Sequence, residues 1–155
     1  MDIADILDVE RVASASDLSS KKRVLQKLSQ LLAQGDESLV EGEVFDALIA
    51  RERLGSTGLG RGVALPHGRS AQGPRTLAAF LKLTSGVDYD APDGEPVDLL
   101  LALLVPLECT DEHLQLLAQL GEMFSDPAFR EKRRDREEDD GIYRLLANWK
   151  RRPAP

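Results

Sequence analysis

The fold is decided by residues 97–105, which read VDLLLALLV. All of them except Asp98 are apolar, and Pro106 ends the run. A strand with one face in water alternates apolar and polar residues, whereas a strand covered on both faces reads as a continuous apolar run. We therefore expect residues 97–105 to form a central strand, with helices on both faces of its sheet.

Strand-like and helical patterns surround this segment. Residues 77–83 are predicted as a strand with Leu77, Ala79, Leu81 and Leu83 on one face. Residues 24–32 carry apolar side chains at the spacing of one helix face. The other predicted elements are a helical turn at 1–7, a strand at 9–15, a helix from Ser19 or Ser20 to Gly35, a helix at 39–53, a short apolar run at 63–65, a turn at 92–94, a helix from Thr110 or Asp111, a short helix opened by Asp126 and Pro127, and a last helix at 142–149. Together they predict one α/β domain over residues 1–155, a mixed sheet flanked by helices, with a frayed tail at 150–155.

The composition is that of an ordinary globular protein. Of the 155 residues, 42% are hydrophobic and 30% are charged, which suits a single domain with its own core. No run approaches the ~20 apolar residues of a membrane span. The acidic start, MDIADILDVE, does not have the pattern of a secretory signal. Cys109 is the only cysteine, so no internal disulfide is expected and a reducing cytoplasm is favoured.

The charge balance narrows the class of partner. Lys and Arg number 20 against 27 Asp and Glu, which gives a net charge of −7. Such a charge opposes nucleic-acid binding, which depends on neutralising phosphates, and it favours a basic protein partner. The longest charged run, residues 130–140 (REKRRDREEDD), mixes both signs and is interpreted as a solvated helix face or loop.

His67 is the first candidate for chemistry. It lies in the sequence ALPHGR at residues 64–69, directly after a short apolar run, so its ring is expected at a strand end. Pro66 restricts the backbone before it, and Gly68 lets another backbone or a second protein approach closely. A neutral imidazole can act as a nucleophile, and its attack on a phosphoryl group would give a phosphohistidine. A purely structural histidine is the alternative.

His113 is the only other histidine. It is expected in the first turn of the helix that starts near Thr110. The N-terminus of a helix attracts phosphate through its unpaired N–H groups, so His113 could donate a hydrogen bond to a phosphoryl oxygen. An ordinary surface histidine is the alternative.

Residues 51–60, RERLGSTGLG, offer groups that suit an anion. Arg51 can donate two parallel hydrogen bonds to phosphate oxygens. Ser56 and Thr57 carry hydroxyls, and glycines such as Gly58 expose backbone N–H groups that can form an anion nest. By spacing alone a tight structural turn is favoured, because the glycines match neither a P-loop nor a dinucleotide-binding fingerprint.

Other kinds of site are disfavoured. A metal site from His67, Cys109 and His113 lacks any closely spaced ligand pair. A serine hydrolase is disfavoured because the sequence has no Gly-x-Ser-x-Gly elbow.

Residues 51–68, RERLGSTGLGRGVALPHG, resemble the active-site signature of phosphotransferase-system enzyme IIA of the mannitol/fructose type. The similarity is greatest to its nitrogen-regulatory branch, IIA-Ntr, and covers nearly the whole chain, although the match is poor in detail beyond Phe129. The further matching stretches are SKKR at 20–23, PVDLL at 96–100, ALLVP at 102–106 and EHLQLLA at 112–118.

The resemblance implies a specific chemistry. His67 would receive a phosphoryl group, on Nε2 in this family, from a phosphohistidine carrier protein of the HPr/NPr type. Enzyme I and phosphoenolpyruvate would supply the carrier, and regulatory proteins would respond to the phosphorylation state. Arg51 and His113 would line the site, and Ser56, Thr57 and Gly58 could add further stabilisation. The implied fold is a mixed sheet between helices, and no metal or cofactor is expected.

Two alternatives stay open at this point. A sugar-specific IIA would use the same chemistry but pass the phosphoryl group to a IIB protein of a fructose or mannitol transporter. A non-catalytic interaction module would use the same groove to bind proteins without any phosphoryl transfer.

Overall fold

The computed structural model describes residues 3–71, 75–107, 111–127 and 143–144, and only the backbone of Ala4 and of residues 111–114. Two short 3-10 turns, Ile3–Asp5 and Val9–Arg11, precede the regular elements. These elements are β1 (Val12–Ala15), α1 (Lys21–Ala33), α2 (Glu41–Glu52), β2 (Gly58–Gly60), β3 (Val63–Ala64), β4 (His67–Ser70), β5 (Leu77–Val87), β6 (Val97–Pro106) and α3 (Asp111–Ser125).

The strands of the described residues form one mixed sheet. Its order is β1-β5-β6-β3-β2, and β4 also pairs with β6. β5 and β6 are antiparallel, β1 is parallel to β5, and both β3 and β4 are parallel to β6. The strand predicted at 97–105 is thus confirmed as the centre of the sheet.

Both faces of β6 are buried, as its apolar run predicted. Leu100, Ala102 and Leu104 join the side chains of α1 and α2 in one core. The alternate residues of β6 join the N-terminal segment and α3 in a second core on the opposite face. β5 divides in the same way, because successive side chains of a strand point to opposite faces: its residues 77, 79, 81 and 83 lie in the first core, and 78 and 80 in the second.

Residues 63–70 run along one edge of β6 as an interrupted strand. Val63 and Ala64 pair with Leu99 and Leu100, and the pairing resumes where His67 faces Leu103. Pro66 lies in the gap, where it has no N–H to give to a ladder, but its carbonyl accepts a hydrogen bond of 2.9 Å from Leu103 N. The sequence did not predict β4, and His67 is its first residue.

Local contacts explain where the first helices begin. Of the two serines proposed as caps of α1, Ser20 is the N-cap, and its Oγ accepts a hydrogen bond of 3.2 Å from Arg23 N. This contact satisfies one of the N–H groups that a helix start leaves without a partner. α2 is shorter than the predicted 39–53: it begins at Glu41, since Val40 has the extended backbone of an N-cap residue, with φ −111° and ψ 123°.

Two sequence predictions need correction. The strand predicted at 9–15 is a strand only from Val12, because Asp8 accepts a hydrogen bond from Glu10 N and caps a 3-10 turn there. The glycine-rich segment predicted as a tight turn contains β2, which pairs with β3. The turn itself is at Arg61 and Gly62, both of which have positive φ.

Several predictions fall outside the described residues. They are the cap at Thr110, Cys109, the short helix after Pro127, the charged run at 130–140, the last helix apart from residues 143–144, and the tail at 150–155. Tyr143, which belongs to that last helix, is partly buried against the second core.

Candidate functional site

His67 is held at the start of β4 by its own backbone neighbourhood. Its Nδ1 lies 2.8 Å from the carbonyl oxygen of Leu65. A carbonyl oxygen can only accept, so Nδ1 carries the proton, and in the neutral ring the lone pair is then on Nε2. The ring is half-buried.

The electrostatic surroundings favour the neutral ring. Burial is the largest effect and lowers the pKa of the His67 imidazole below its ordinary 6.5, because an imidazolium loses hydration there. The hydrogen bond to Leu65 and the negative charge of Glu52 oppose this lowering, whereas the positive charge of Arg51 adds to it. These effects favour the neutral imidazole, the form in which a ring nitrogen can act as a nucleophile.

Close packing sets α2 against β4. A Cβ atom on Gly68 would lie 3.0 Å from the carbonyl carbon and oxygen of Ala47, and 3.1 Å from its Cβ. Gly68 thus permits the close approach predicted from the sequence, and the backbone that approaches belongs to α2. As a result the last turn of α2, with Arg51 and Glu52, is placed beside His67.

Arg51 ends its helix with a hydrogen bond. Its Nη1 donates to the carbonyl oxygen of Gly55 at 2.8 Å, which satisfies a backbone group just beyond the end of α2. The side chain is partly exposed, and its charge acts on His67. Arg51 therefore lies close enough to His67 for its charge to act on the ring, and a guanidinium has five N–H donors, more than this one bond uses. Its role at a phosphoryl group stays a prediction.

The hydroxyl and glycine groups of the 56–58 segment have partners within the chain. Ser56 Oγ donates to the carbonyl oxygen of Tyr89 at 3.0 Å and accepts from Gly58 N at 3.1 Å. Thr57 is buried, and its backbone N and its Oγ1 both donate to Glu52. The assignment of these three residues to phosphate stays a prediction.

Glu52 is the centre of a polar cluster that the sequence did not reveal. Its side chain is only 4% exposed and forms a salt bridge of 2.9 Å with Lys21 Nζ. The Tyr89 hydroxyl donates to Glu52 Oε1 at 3.0 Å and lies 3.1 Å from Thr57 Oγ1. Burial is the main cause that raises the pKa of the Tyr89 phenol, and the nearby Glu52 charge adds to it.

A signal for part of this cluster is present in the sequence. Glu52 lies in the signature at residues 51–68 and Lys21 in the further matching stretch at 20–23, but their roles cannot be assigned before the fold brings them together. Tyr89 carries no such signal.

His113 lies in the first turn of α3, as predicted. Its side chain is outside the described part of the chain, so its proximity to His67 stays a prediction. Among the side chains that the structure describes, no three His, Cys, Asp or Glu residues gather as metal ligands would. No helix within the described ranges is long and apolar enough to cross a membrane.

Comparison with known proteins identifies the family. The family model described as "Phosphoenolpyruvate-dependent sugar phosphotransferase system, EIIA 2" matches residues 5–149. The chain belongs to this family. Family membership places this EIIA chain in phosphoryl transfer within the phosphotransferase system and confirms the resemblance drawn from residues 51–68.

The relatives of the EIIA chain include regulatory proteins. It is 41% identical to a nitrogen regulatory protein of Pseudomonas aeruginosa over an alignment of 129 residues. This alignment covers 83% of this chain and 84% of the relative. The crystal structure of nitrogen regulatory protein IIA-Ntr from Neisseria meningitidis matches with a TM-score of 0.87 and 41% identity, over 93% of this chain and 98% of that one. The crystal structure of IIA mannitol from Escherichia coli matches with a TM-score of 0.75 and 22% identity, over 90% of this chain and 98% of that one. This similarity concerns the fold. The predicted α/β fold, a mixed sheet with flanking helices, is confirmed.

Proposed function

We propose that this chain is a phosphocarrier and regulator of the nitrogen-type phosphotransferase system, and that it accepts a phosphoryl group on Nε2 of His67. One observation carries the assignment of the atom: Nδ1 of His67 donates to the Leu65 carbonyl at 2.8 Å. Because that nitrogen holds the proton, Nε2 is the nucleophilic position of the neutral ring. The nitrogen regulatory relatives support the regulatory role.

The donor is a phosphohistidine carrier protein of the HPr/NPr type. The lone pair of Nε2 forms a new N–P bond while the N–P bond of the donor breaks. The electron pair of the broken bond stays on the donor ring, which takes up a proton from solvent. His67 keeps its proton on Nδ1, so its ring gains positive charge, and the Leu65 carbonyl that accepts from Nδ1 stabilises that charge.

The remaining site residues stabilise the transferred group. Phosphoryl transfer depends on positioning and on neutralising the phosphoryl oxygens. Arg51 supplies positive charge beside His67, and His113 is assigned as a donor from the start of α3. The phosphate assignment of Ser56, Thr57 and Gly58 is not part of this proposal, because their groups are engaged with Glu52, Tyr89 and one another.

The partners follow from the charge and from the direction of transfer. A net charge of −7 favours docking of a basic carrier. Enzyme I and phosphoenolpyruvate charge that carrier, and the chain acts in the cytoplasm. Phosphate on His67 adds negative charge at a protein-binding surface, which regulatory target proteins would sense.

The test is phosphorylation followed by intact mass spectrometry. The protein is incubated with phosphoenolpyruvate, enzyme I and the carrier, in parallel with His67→Ala and His113→Ala. We expect one added phosphoryl group that is labile in acid and stable in alkali. His67→Ala should show none, whereas His113→Ala should reach the same final mass more slowly.

The two histidine variants serve as controls for each other. If His67→Ala were still phosphorylated, the assignment of the acceptor would be wrong. If the wild-type chain gained no phosphoryl group from HPr-type or NPr-type carriers, an interaction module without phosphoryl transfer would replace the proposal.

A further inference from the structure

A buried carboxylate lies behind the acceptor histidine. Glu52 accepts hydrogen bonds from Thr57 N at 3.3 Å, from Thr57 Oγ1 and from the Tyr89 hydroxyl at 3.0 Å. Lys21 Nζ lies 2.9 Å from Glu52 Oε2, and 4.4 Å from the centroid of the Tyr89 ring. Burying a carboxylate costs free energy unless it is paired and hydrogen-bonded, and Glu52 has both kinds of partner.

These contacts continue to His67 without a break. The carbonyl oxygen of Thr57 accepts a hydrogen bond of 3.0 Å from Leu65 N. The carbonyl oxygen of that same Leu65 accepts from His67 Nδ1 at 2.8 Å. The peptide groups of Thr57 and Leu65 therefore link the Glu52 carboxylate to the imidazole ring.

We propose that Glu52 is the positioning residue for His67, and that it acts through Thr57 and the Leu65 carbonyl to fix the ring tautomer and its orientation. Two donors of Thr57, one on its backbone and one on its side chain, converge on the same carboxylate, which restrains both the rotation and the position of that residue. The consequence for phosphoryl transfer rests on the proposed function of His67, but the effect on the tautomer does not.

The charge of the pair also suits this position. A lone carboxylate near His67 would repel an incoming phosphoryl group. Lys21 Nζ lies 2.9 Å from Glu52 and offsets part of its negative charge, so Glu52 opposes the positive charge of Arg51 less than a lone carboxylate would. Glu52 can therefore restrain the loop with a smaller loss of attraction for the phosphoryl group than an unpaired carboxylate would cause.

The test replaces Glu52 by its uncharged isostere. Glu52→Gln replaces one carboxylate oxygen by an amide N–H₂ group that faces the N–H of Thr57, and for one oxygen also the ammonium of Lys21, donors that cannot accept a hydrogen bond. Nitrogen-15 NMR of the unphosphorylated protein reports which imidazole nitrogen carries the proton. We expect wild-type His67 to be protonated on Nδ1, Glu52→Gln to show a mixture of both tautomers, and its phosphoryl-transfer rate to fall by about 10²-fold, as for a reacting group misplaced by about 1 Å.

Asp36→Asn provides a matched control. Asp36 also accepts from the backbone N and the hydroxyl of one residue, Ser38, both through its Oδ1, but it belongs to the loop after α1. This variant should keep the wild-type tautomer of His67 and the wild-type rate. Thermal unfolding of both variants shows whether the loss of stability alone explains an effect.

A milder pair of variants guards against a failure of Glu52→Gln to fold. Thr57→Val removes the hydroxyl but keeps the backbone N–H, and should shift the tautomer of His67 in the same direction. Thr57→Ser restores a hydroxyl and should restore the Nδ1-protonated ring. If Glu52→Gln and Thr57→Val both kept that ring as fully as the wild type, the cluster would be structural only and the proposal would be overturned.

Failure of the two proposals can be told apart. If wild-type His67 accepted no phosphoryl group, the proposed function would fail, but the tautomer comparison would still decide the role of Glu52. If transfer occurred on His67 and the tautomer responded to neither Glu52→Gln nor Thr57→Val, the positioning role alone would be refuted.

Discussion

Gly68→Ala tests how closely α2 must pack on β4 for the site to work. The added Cβ would lie 3.0 Å from two backbone atoms of Ala47 and 3.1 Å from its Cβ. Ordinary carbon contacts are about 3.5–4.0 Å, and none of these three atoms is the end of a flexible side chain. α2 must therefore move away from β4 by a few tenths of an ångström.

The cost can be estimated by comparison with a glycine on the same helix. Gly42 has nothing within 4 Å of an added Cβ, so Gly42→Ala carries only the intrinsic gain of alanine over glycine, about 0.5–1 kcal/mol. Overpacking of a core costs about 1–3 kcal/mol. Both variants share the intrinsic gain of alanine, so we expect Gly68→Ala to be less stable than Gly42→Ala by the overpacking cost of about 1–3 kcal/mol. This difference corresponds to about 2–12 °C in Tm for a chain of this size.

The same movement should slow phosphoryl transfer. α2 carries Arg51 and Glu52, so its displacement changes their position relative to His67. If a misplacement of about 1 Å costs about 10²-fold, a movement of about 0.3 Å costs about fourfold. Urea unfolding gives the difference in stability, and the initial rate from a phosphorylated carrier gives the functional effect. Gly68→Ala with the stability of Gly42→Ala and the wild-type rate would refute this account of the packing.

Three further perturbations test other parts of the molecule. Burial lowers the pKa of His67 in the folded state, so the unfolded chain binds a proton on this ring more readily. The contribution of the neutral His67 ring to stability is therefore complete above pH 6.5 and is lost as the pH falls from 6.5 through the folded pKa. An NMR titration midpoint of 6.5 or higher would contradict this. Phe80→Ala removes a ring that is 0% exposed in the second core and should cost about 3–5 kcal/mol in urea unfolding; a loss below about 1 kcal/mol would mean that the ring is not packed as described. Arg51→Ala should slow transfer by about 10²-fold, as for the loss of one stabilising donor, with the same final mass in the intact-mass assay; an unchanged rate would remove Arg51 from the site.

The central strand could be predicted because its burial is recorded in its own sequence. Apart from Asp98, residues 97–105 are apolar on both faces, and the structure covers both faces. One face of β5 could also be predicted from its own sequence, because every second residue of a strand points to the same side. This face is formed by Leu77, Ala79, Leu81 and Leu83. In both strands the pattern repeats within a few residues, so no knowledge of distant parts of the chain is needed.

β4 and β2 could not be predicted because their pairing depends on distant partners. β4 has four residues with a mixed burial pattern and joins the sheet by pairing with Leu103–Pro106. β2 contains two glycines, which usually weaken a strand, and pairs only over a short irregular register with β3. Neither segment carries a periodic signal of its own, so the contacts with β6 and β3 make them strands.

The residues of the candidate site differ in the same way in how far the sequence predicts them. His67 and Arg51 could be chosen from the sequence because imidazole and guanidinium groups have chemistry that suits phosphoryl transfer. Glu52 could not be chosen, since its role depends on the partners that stabilise its buried charge, Lys21 and Tyr89. These lie 31 residues before it and 37 residues after it in the chain.

The segment at residues 56–58 shows why donor types alone do not define an anion site. The sequence offers hydroxyls and glycine N–H groups, which suit phosphate. In the structure Thr57 gives its donors to Glu52, and the groups of Ser56 and Gly58 are engaged with each other and with Tyr89. A phosphoryl group could reach these donors only by displacing partners that are already well placed. The same contacts that limit direct binding hold the Leu65 carbonyl against His67, so the segment can serve phosphoryl transfer by geometry even where it does not touch the phosphate.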